Sequence, residues 1–323
     1  MVDNYGRLIE YMRVSVTDRC DLRCRYCMPD GCEKVSMSQI LTFEEIVRIC
    51  RAASELGINR IKITGGEPFV RLGCIDLIKE IKAIDGIEEV TVTTNGQTLD
   101  RYIDELREIG IDGINISLDT LDPDRFEYIT GRGKLDKTLR SVELAAGSGI
   151  KTKINTLLQK DFNEDEVYDI AALAFRYGID VRFIEMMPVG AADAGTVVSN
   201  PEVLQKLIER WPDLEPDPSI HGNGPAVYYK RPGTKGCIGL ISAMHGKFCD
   251  YCNRVRLTSQ GQLKPCLSFD TGTDLRPYLS RTDDELKDAI RKAILEKPES
   301  HCFSNPDIAG DHAEHRLMSQ IGG

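Results

Sequence analysis

The feature that most constrains the fold of this chain is a rhythm. Between residues 11 and 186, short apolar runs alternate with amphipathic stretches. YMRVSV, RIKIT, EVTVTT, GINISLD, KTKINTLL and VRFIEM read as strands. TFEEIVRICRAASELG, IDLIKEIKAI, YIDELREIG, LDKTLRSVELAAG and EDEVYDIAALAFRYG read as the helices between them. Thr42 and Glu45 form a capping box and Gly57 a stop. Such alternation specifies an α/β fold, a parallel sheet with helices outside. Six units are too few to close an eightfold barrel. The expected fold is therefore a partial (β/α)6 TIM-like barrel, open on one side, with a Rossmann-like open sheet as the alternative.

Ligands collect at the carboxyl ends of parallel strands. The chemically interesting residues fall there: a cysteine loop after the first strand, Gly65-Gly66-Glu67-Pro68 after the second, Thr93-Thr94-Asn95-Gly96 after the third, Ser117 at the fourth and Met186-Met187 after the sixth. After about residue 190 the rhythm breaks. Asn200 is placed to cap a helix with Pro201 in its first turn. EPDPSIHGNGP is rich in turn residues, and short strand patterns follow in AVYYK, CIGLIS, RVRLT and QLKPC. This predicts a barrel over residues 1–214 and a smaller α+β region over 215–323 that covers the open side.

The net charge of −10 and the lack of a long basic run argue against broad nucleic-acid binding, though a local basic pocket could still hold an anion. No run of about 18 apolar residues exists. The start, MVDNYGRLIEYMRVSV, lacks an apolar signal core. The expected location is cytoplasmic, away from membranes. Eleven cysteines, an odd number, then favour metal binding over disulfides. Five of them (Cys32, Cys50, Cys74, Cys237, Cys302) are scattered and read as small buried apolar residues.

The other six form two trios. Cys20, Cys24 and Cys27 stand in TDRCDLRCRYCMPD. Thiolates suit an iron–sulfur cluster. Three from one loop hold three irons of a cubane and leave the fourth for chemistry. Zinc usually draws four ligands in CxxC pairs, and the three-residue gap argues against it; Cys32 is the nearest other sulfur. The second trio, Cys249, Cys252 and Cys266, lies in CDYCNRVRLTSQGQLKPC, where a zinc ribbon remains a serious rival. Arg254 and Arg256 alternate on the strand between these cysteines and so share a face. Two guanidiniums there suit a phosphate.

The CxxxCxxC loop with Tyr26, followed by TGGEP, resembles the radical S-adenosylmethionine (SAM) superfamily. With the second trio and its RxR, TTNG, NISLD, ITGR, RFIEMMPVG, CNRVRLT and the terminal MSQIGG, nearly the whole chain resembles one family within it, the GTP 3′,8-cyclases of molybdenum cofactor biosynthesis. The resemblance implies a lyase-class radical enzyme with two 4Fe-4S clusters, SAM as cofactor and GTP as substrate. In that family the adenosyl radical removes hydrogen from ribose C3′, the carbon radical attacks guanine C8, and a cyclic pyranopterin monophosphate synthase uses the product. It further implies an electron donor that the sequence does not name; members are often homodimers.

Residue by residue, the resemblance gives Cys20, Cys24 and Cys27 to the SAM cluster and Cys249, Cys252 and Cys266 to the substrate cluster. Tyr26, Gly66, Ser117 and Met187 match SAM contacts. Arg13, Lys62, Thr93, Lys153, Arg254, Val255 and Arg256 match GTP contacts, Lys62 standing where arginine is more usual. Asn155 and Arg182 are candidate helpers. Gly322 and Gly323 match a tail that reaches into the pocket, and with Arg13, Arg254 and Arg256 they are the residues expected to serve catalysis. The remaining alternatives are another radical SAM enzyme with an auxiliary cluster and a zinc-stabilised nucleotide-binding protein.

Overall fold

A computed structural model describes residues 1–29, 35–246, 248–303 and 312–322. Its framework is one twelve-stranded sheet. Six strands supply the wall read from sequence: β1 (Tyr11–Ser15), β2 (Arg60–Thr64), β3 (Glu89–Thr94), β4 (Gly113–Ser117), β5 (Thr152–Leu157) and β6 (Asp180–Ile184). All pair in parallel, each with the next. Helices α1 (Phe43–Glu55), α2 (Cys74–Lys82), α3 (Ile103–Ile109), α4 (Pro123–Thr130), α5 (Leu135–Gly147) and α6 (Val167–Tyr177) lie between them in the chain.

The C-terminal region spans the open side by adding strands to both edges. Beyond β6 come β9 (Ile238–Ile241), β8 (Val227–Lys230) and β7 (Glu215–Asp217); beyond β1 come β10 (Arg254–Leu257), β11 (Gln262–Lys264) and β12 (Thr273–Asp274). β9 and β10 join in parallel, so the parallel run has eight strands, yet β7 and β12 remain edges and the barrel stays open. Helices α7 (Asn200–Arg210), α8 (Asp283–Leu295) and the short α9 (Met318–Ile321) follow among the described residues, α8 packing on α1.

Strands in a fully buried parallel sheet usually read as continuous apolar runs. These alternate. Met12 and Val14, Ile61 and Ile63, Val90 and Val92, Ile114 and Ile116, Val181 and Phe183, and Val255 and Leu257 are buried in the core shared with the helices. Their neighbours, Arg13, Lys62, Thr91 and Thr93, Asn115, Arg182 and Arg254, turn to the inside and line a cavity. A polar inner row means that the barrel interior is built to hold something charged, because buried polar groups without partners are costly.

Three local details differ from the sequence reading. The cap of α7 is Ser199, whose hydroxyl accepts from the Glu202 amide while the Glu202 carboxylate accepts from its backbone; Asn200 is the first helical residue and donates to Ser242. Helix α4 was not anticipated, although Asp122 accepts from the Asp124 and Arg125 amides, Pro123 opens the helix and Gly131 ends it left-handed. Helix α8 was also missed despite the Thr282–Glu285 capping box. Cys50, Cys74, Cys237 and Cys302 are buried as expected, whereas Cys32 lies outside the described residues.

Candidate active site

The first trio sits in the loop beyond the carboxyl end of β1. Among the described residues its sulfurs form no disulfide, and they feel one another's charge. The Leu22 amide donates to Cys20 Sγ at 3.3 Å, and the Cys27 and Met28 amides donate to the Cys24 carbonyl, curling the loop. Burial, with nearby carboxylates and thiols, pushes Cys20 and Cys24 above the ordinary thiol range. Thiolates so placed need a cationic centre beside them. Tetrahedral zinc would draw sulfurs to about 3.8 Å of one another. Among the described residues, the sole set of three donor atoms within 4.8 Å is Asp180, His221 and Cys237. Neither cysteine trio is in that set.

Gly65 and Gly66 seat this loop. The Gly66 amide donates to the Thr17 carbonyl at 2.7 Å and the Glu67 amide to Arg19 at 2.8 Å. A Cβ on Gly66 would lie 2.3 Å from the Arg19 carbonyl oxygen, so backbone meets backbone and no side chain fits. Glu67 then ties the second loop to the third: its carboxylate accepts from Thr94 Oγ1 at 2.8 Å and the Asn95 amide at 2.7 Å, while burial pushes its pKa up to about 7. Tyr26 donates to Asp119 Oδ2 at 2.7 Å, and Asp119 Oδ1 accepts from the Leu157 amide. The cysteine loop is thereby pinned to the ends of β4 and β5. Asp119 was not singled out from the sequence, although it closes the NISLD segment. Ser117 ends β4 opposite Asn155. Met187, past β6, packs on Val189, Leu267 and Ile321.

A row of cations crosses the interior. Arg256 is level with Arg13, and Arg13 with Lys62. Lys153 is opposite Asn115, and Arg182 opposite Asn155. The cavity is lined by six basic side chains (Arg13, Lys62, Lys151, Lys153, Arg182, Arg254) against two acidic ones, Glu89 and Asp112. Burial and mutual repulsion lower Arg13 and hold Lys62 well below the ordinary lysine value. Lys153 is brought down to about 8, first by burial and then by Arg182, against the pull of Asp180 at 3.1 Å. Two amides aim Arg182: its Nε donates to Asn155 and its Nη2 to Asn115, both at 2.8 Å. Thr93 also faces the cavity. Val255 does not: its side chain belongs to the outer core, opposite Met12.

His221 lines the same cavity. Its ring bridges Asp180 at 2.9 Å and Asp217 at 3.1 Å and stacks on Tyr228, whose hydroxyl accepts from Lys153 Nζ at 2.9 Å. The hydrogen bonds and the Lys153 ammonium account for the Asp180–His221–Cys237 grouping without an ion. Nothing in the spacing of the sequence announced it.

The second trio lies at the other end of the same wall. Cys252 precedes β10, whose first residue is level with the first of β1, and Cys266 follows β11. The five residues of β1, about 13 Å long, lie between the two ends at which the trios sit. The His301 amide donates to Cys249 Sγ at 3.4 Å, and Cys266 Sγ meets Ser268 Oγ at 3.4 Å. Burial alone would raise the Cys252 thiol, but the Lys297 ammonium and the Arg254 guanidinium bring it down to about 7. Cys302 donates its thiol to the Ser268 carbonyl. The tail reaches the rim between the trios: Arg256 Nη1 donates to the Gly322 carbonyl at 2.7 Å, while Gly323 lies outside the described residues.

Comparison with known proteins gives the same outline. The Radical SAM superfamily profile matches residues 14–174, and the Molybdenum Cofactor Synthesis C profile matches 179–303. Proteins named GTP 3′,8-cyclase are similar over the full length of both chains: 44% identity in Clostridium perfringens (strain SM101), 43% in Heliobacterium modesticaldum and 41% in Moorella thermoacetica. Among solved structures, Streptococcus suis SuiB bound to S-adenosylmethionine aligns with a TM-score of 0.63 at 17% identity, over 94% of this chain and 75% of that one. The anSMEcpe structure with bound AdoMet gives 0.57 at 15%, over 91% and 79%. These two share the fold of an open, partial barrel. On the full-length identity to its curated relatives, the chain belongs to the GTP 3′,8-cyclase family of radical SAM enzymes.

Proposed function

We propose that this chain converts GTP to 3′,8-cyclo-7,8-dihydro-GTP, the first step toward molybdenum cofactor. The observation that supports this reading is a pair of three-cysteine sites beyond opposite ends of β1, the strand whose Arg13 faces a cavity lined by cations. The resident groups would be a 4Fe-4S cluster on Cys20, Cys24 and Cys27 and a second on Cys249, Cys252 and Cys266. Reductive cleavage of bound SAM supplies the 5′-deoxyadenosyl radical that takes hydrogen from ribose C3′.

The chain's own residues bind and orient. Lys62, Lys153, Arg13, Arg254 and Arg256 attract the triphosphate, and Arg182 reaches it from its two-amide mount. Tyr26, Gly66, Ser117 and Met187 surround the SAM end, with Tyr26 fixed by Asp119. Holding C3′ near C8 is where the rate gain should arise. Carbon–carbon bond formation is completed by one electron and one proton, so the product keeps the mass of GTP. On this reading the 1–214 barrel serves SAM and the 215–323 region serves the nucleotide. The product would pass to a cyclic pyranopterin monophosphate synthase. A low-potential electron donor and a homodimeric assembly belong to the same proposal. Among the described residues no helix is long and apolar enough to cross a membrane, which suits the cytoplasmic location proposed for this pathway step.

The test is anaerobic incubation of reconstituted protein with SAM, dithionite and GTP. The expected result is an isomer of GTP and one 5′-deoxyadenosine for each product. Deoxyadenosine with unaltered GTP would point to another radical SAM substrate. A colourless protein holding zinc would remove the radical reading.

A further inference from the structure

Lys297 is a buried lysine that the reaction scheme does not use. It lies just past the end of α8, with 3% of its surface exposed. Its Nζ donates to the Arg254 carbonyl at 2.9 Å and to the Pro265 carbonyl at 2.6 Å. Arg254 lies two residues after Cys252, and Pro265 immediately precedes Cys266. The ammonium thus joins the two segments that carry the second trio.

Its charge is unusual. Among the described residues no carboxylate pairs with Lys297. Two carbonyl dipoles satisfy its protons without neutralising it, and burying an uncompensated charge is costly. The negative charge that compensates it has to come from the three thiolates. Arg7 provides a parallel nearby: it donates to the Cys249 carbonyl at 3.0 Å but carries its own counter-charge, Asp3 at 2.7 Å. The Arg7 charge is spent on Asp3; the Lys297 charge is directed at the sulfurs.

We propose that Lys297 is the resident counter-ion of the second cysteine centre, positioned to hold the thiolate-ligated group and to make it easier to reduce. The proposal rests on that trio carrying an iron–sulfur cluster. A fixed positive charge favours the more negative, reduced state, and hydrogen bonds to cluster sulfurs act in the same sense. Lys297 is then a positioning residue: it acts on the nucleotide through the centre beside it.

The experiment is an anaerobic redox titration of the holoenzyme, followed by electron paramagnetic resonance, in wild type, Lys297→Gln and Lys297→Arg. Glutamine keeps two N–H donors for the carbonyls and loses the charge. The expected result is a lower midpoint for the second centre in Lys297→Gln, with the reduced fraction ratio at fixed potential falling about tenfold, which is 59 mV for one electron. The first centre should not move, and Lys297→Arg should stay within a few-fold of wild type. An unchanged second midpoint in Lys297→Gln would overturn the proposal and leave Lys297 a mechanical staple. Should Lys297→Gln fail to retain the second centre, retention in Lys297→Arg supports the charge requirement, and loss in both overturns it. Wild-type protein without a second iron signal would instead refute the cluster assignment itself.

Discussion

Arg256 holds the end of the chain: its guanidinium donates to the carbonyl of Gly322 at 2.7 Å, across 66 positions of sequence. Gly322 is left-handed at φ +81°, and a Cβ there would lie 2.9 Å from Ser15 Cβ, at the carboxyl end of β1. The preceding Ile321 is buried against Val189 and Leu267. The tail is therefore docked by an apolar anchor and an arginine, between the levels of the two cysteine sites. Removing Gly322 and Gly323 should reduce turnover by about 100-fold or more, the scale expected when reacting groups are displaced by an ångström. Iron content and deoxyadenosine formation without GTP should stay normal. Full activity in the truncated protein would remove the tail from the mechanism. Gly322→Ala should mimic the deletion, because both its backbone and its surroundings exclude a side chain.

Lys62 is a cation among cations. Burial first, and then Arg182, Arg13 and Lys153, hold its pKa well below the ordinary lysine value against the pull of Glu89. Such crowding is unfavourable in the free protein and favourable once a triphosphate arrives. Lys62→Ala should therefore weaken GTP binding by about tenfold, or about 1.4 kcal/mol. It should also raise the melting temperature of the nucleotide-free protein. Equilibrium titration and calorimetry check the two signs separately. Unchanged affinity would place Lys62 outside the binding site.

Much of this was legible in sequence because the barrel needs two opposed patterns. Helix-facing residues such as Ile61 and Ile63 are apolar, and Lys62 between them is not. That alternation, with regularly spaced helices, gave the strands, while the inward Arg13, Lys62, Thr93 and Lys153 came from the family resemblance. The CxxxCxxC spacing pointed to the chemistry of the first trio, whereas at the second the spacing left a zinc ribbon open and the family resemblance implied the cluster. Contacts between distant segments were not legible. Asp119 lies 93 positions from Tyr26, and Lys297 lies 45 from Cys252. A polar residue with a remote partner leaves no periodic trace. At Val255 the motif match implied a contact, and period-two geometry turns its side chain away, leaving only its main chain to face the nucleotide.

Tyr26 and Asp119 couple the cysteine loop to the barrel. Burial pushes Asp119 up to about 6, even though the Leu157 amide and the Tyr26 hydroxyl favour its charged form. Tyr26→Phe removes one donor from a buried carboxylate. The expected cost is about 1–2 kcal/mol of stability. Loosening the loop should raise the KM for SAM more than it lowers kcat, with the first cluster retained. A Tyr26→Phe enzyme with wild-type stability and KM would show that the hydrogen bond positions nothing.

Nucleotide binding should depend on pH through Lys153. Its ammonium faces Asp180, the Tyr228 hydroxyl, the His221 carbonyl and the Arg182 guanidinium, and in the folded protein its pKa is about 8 against 10.5 for a free lysine. The folded state thus releases this proton before the unfolded chain does. Between about pH 8 and 10.5 the unfolded state binds more protons, so this group contributes stability that grows as pH rises through that window. Binding runs the other way. Below pH 8 the charge is in place, and a triphosphate meets an ammonium. Above it each pH unit removes up to about tenfold of the charged form, and affinity should fall with it. A titration of GTP binding from pH 7 to 9.5 should bend near 8 in wild type and not in Lys153→Met, which also corrects for ionisation of the guanine itself. Coincident profiles for the two proteins would show that Lys153 does not meet the nucleotide.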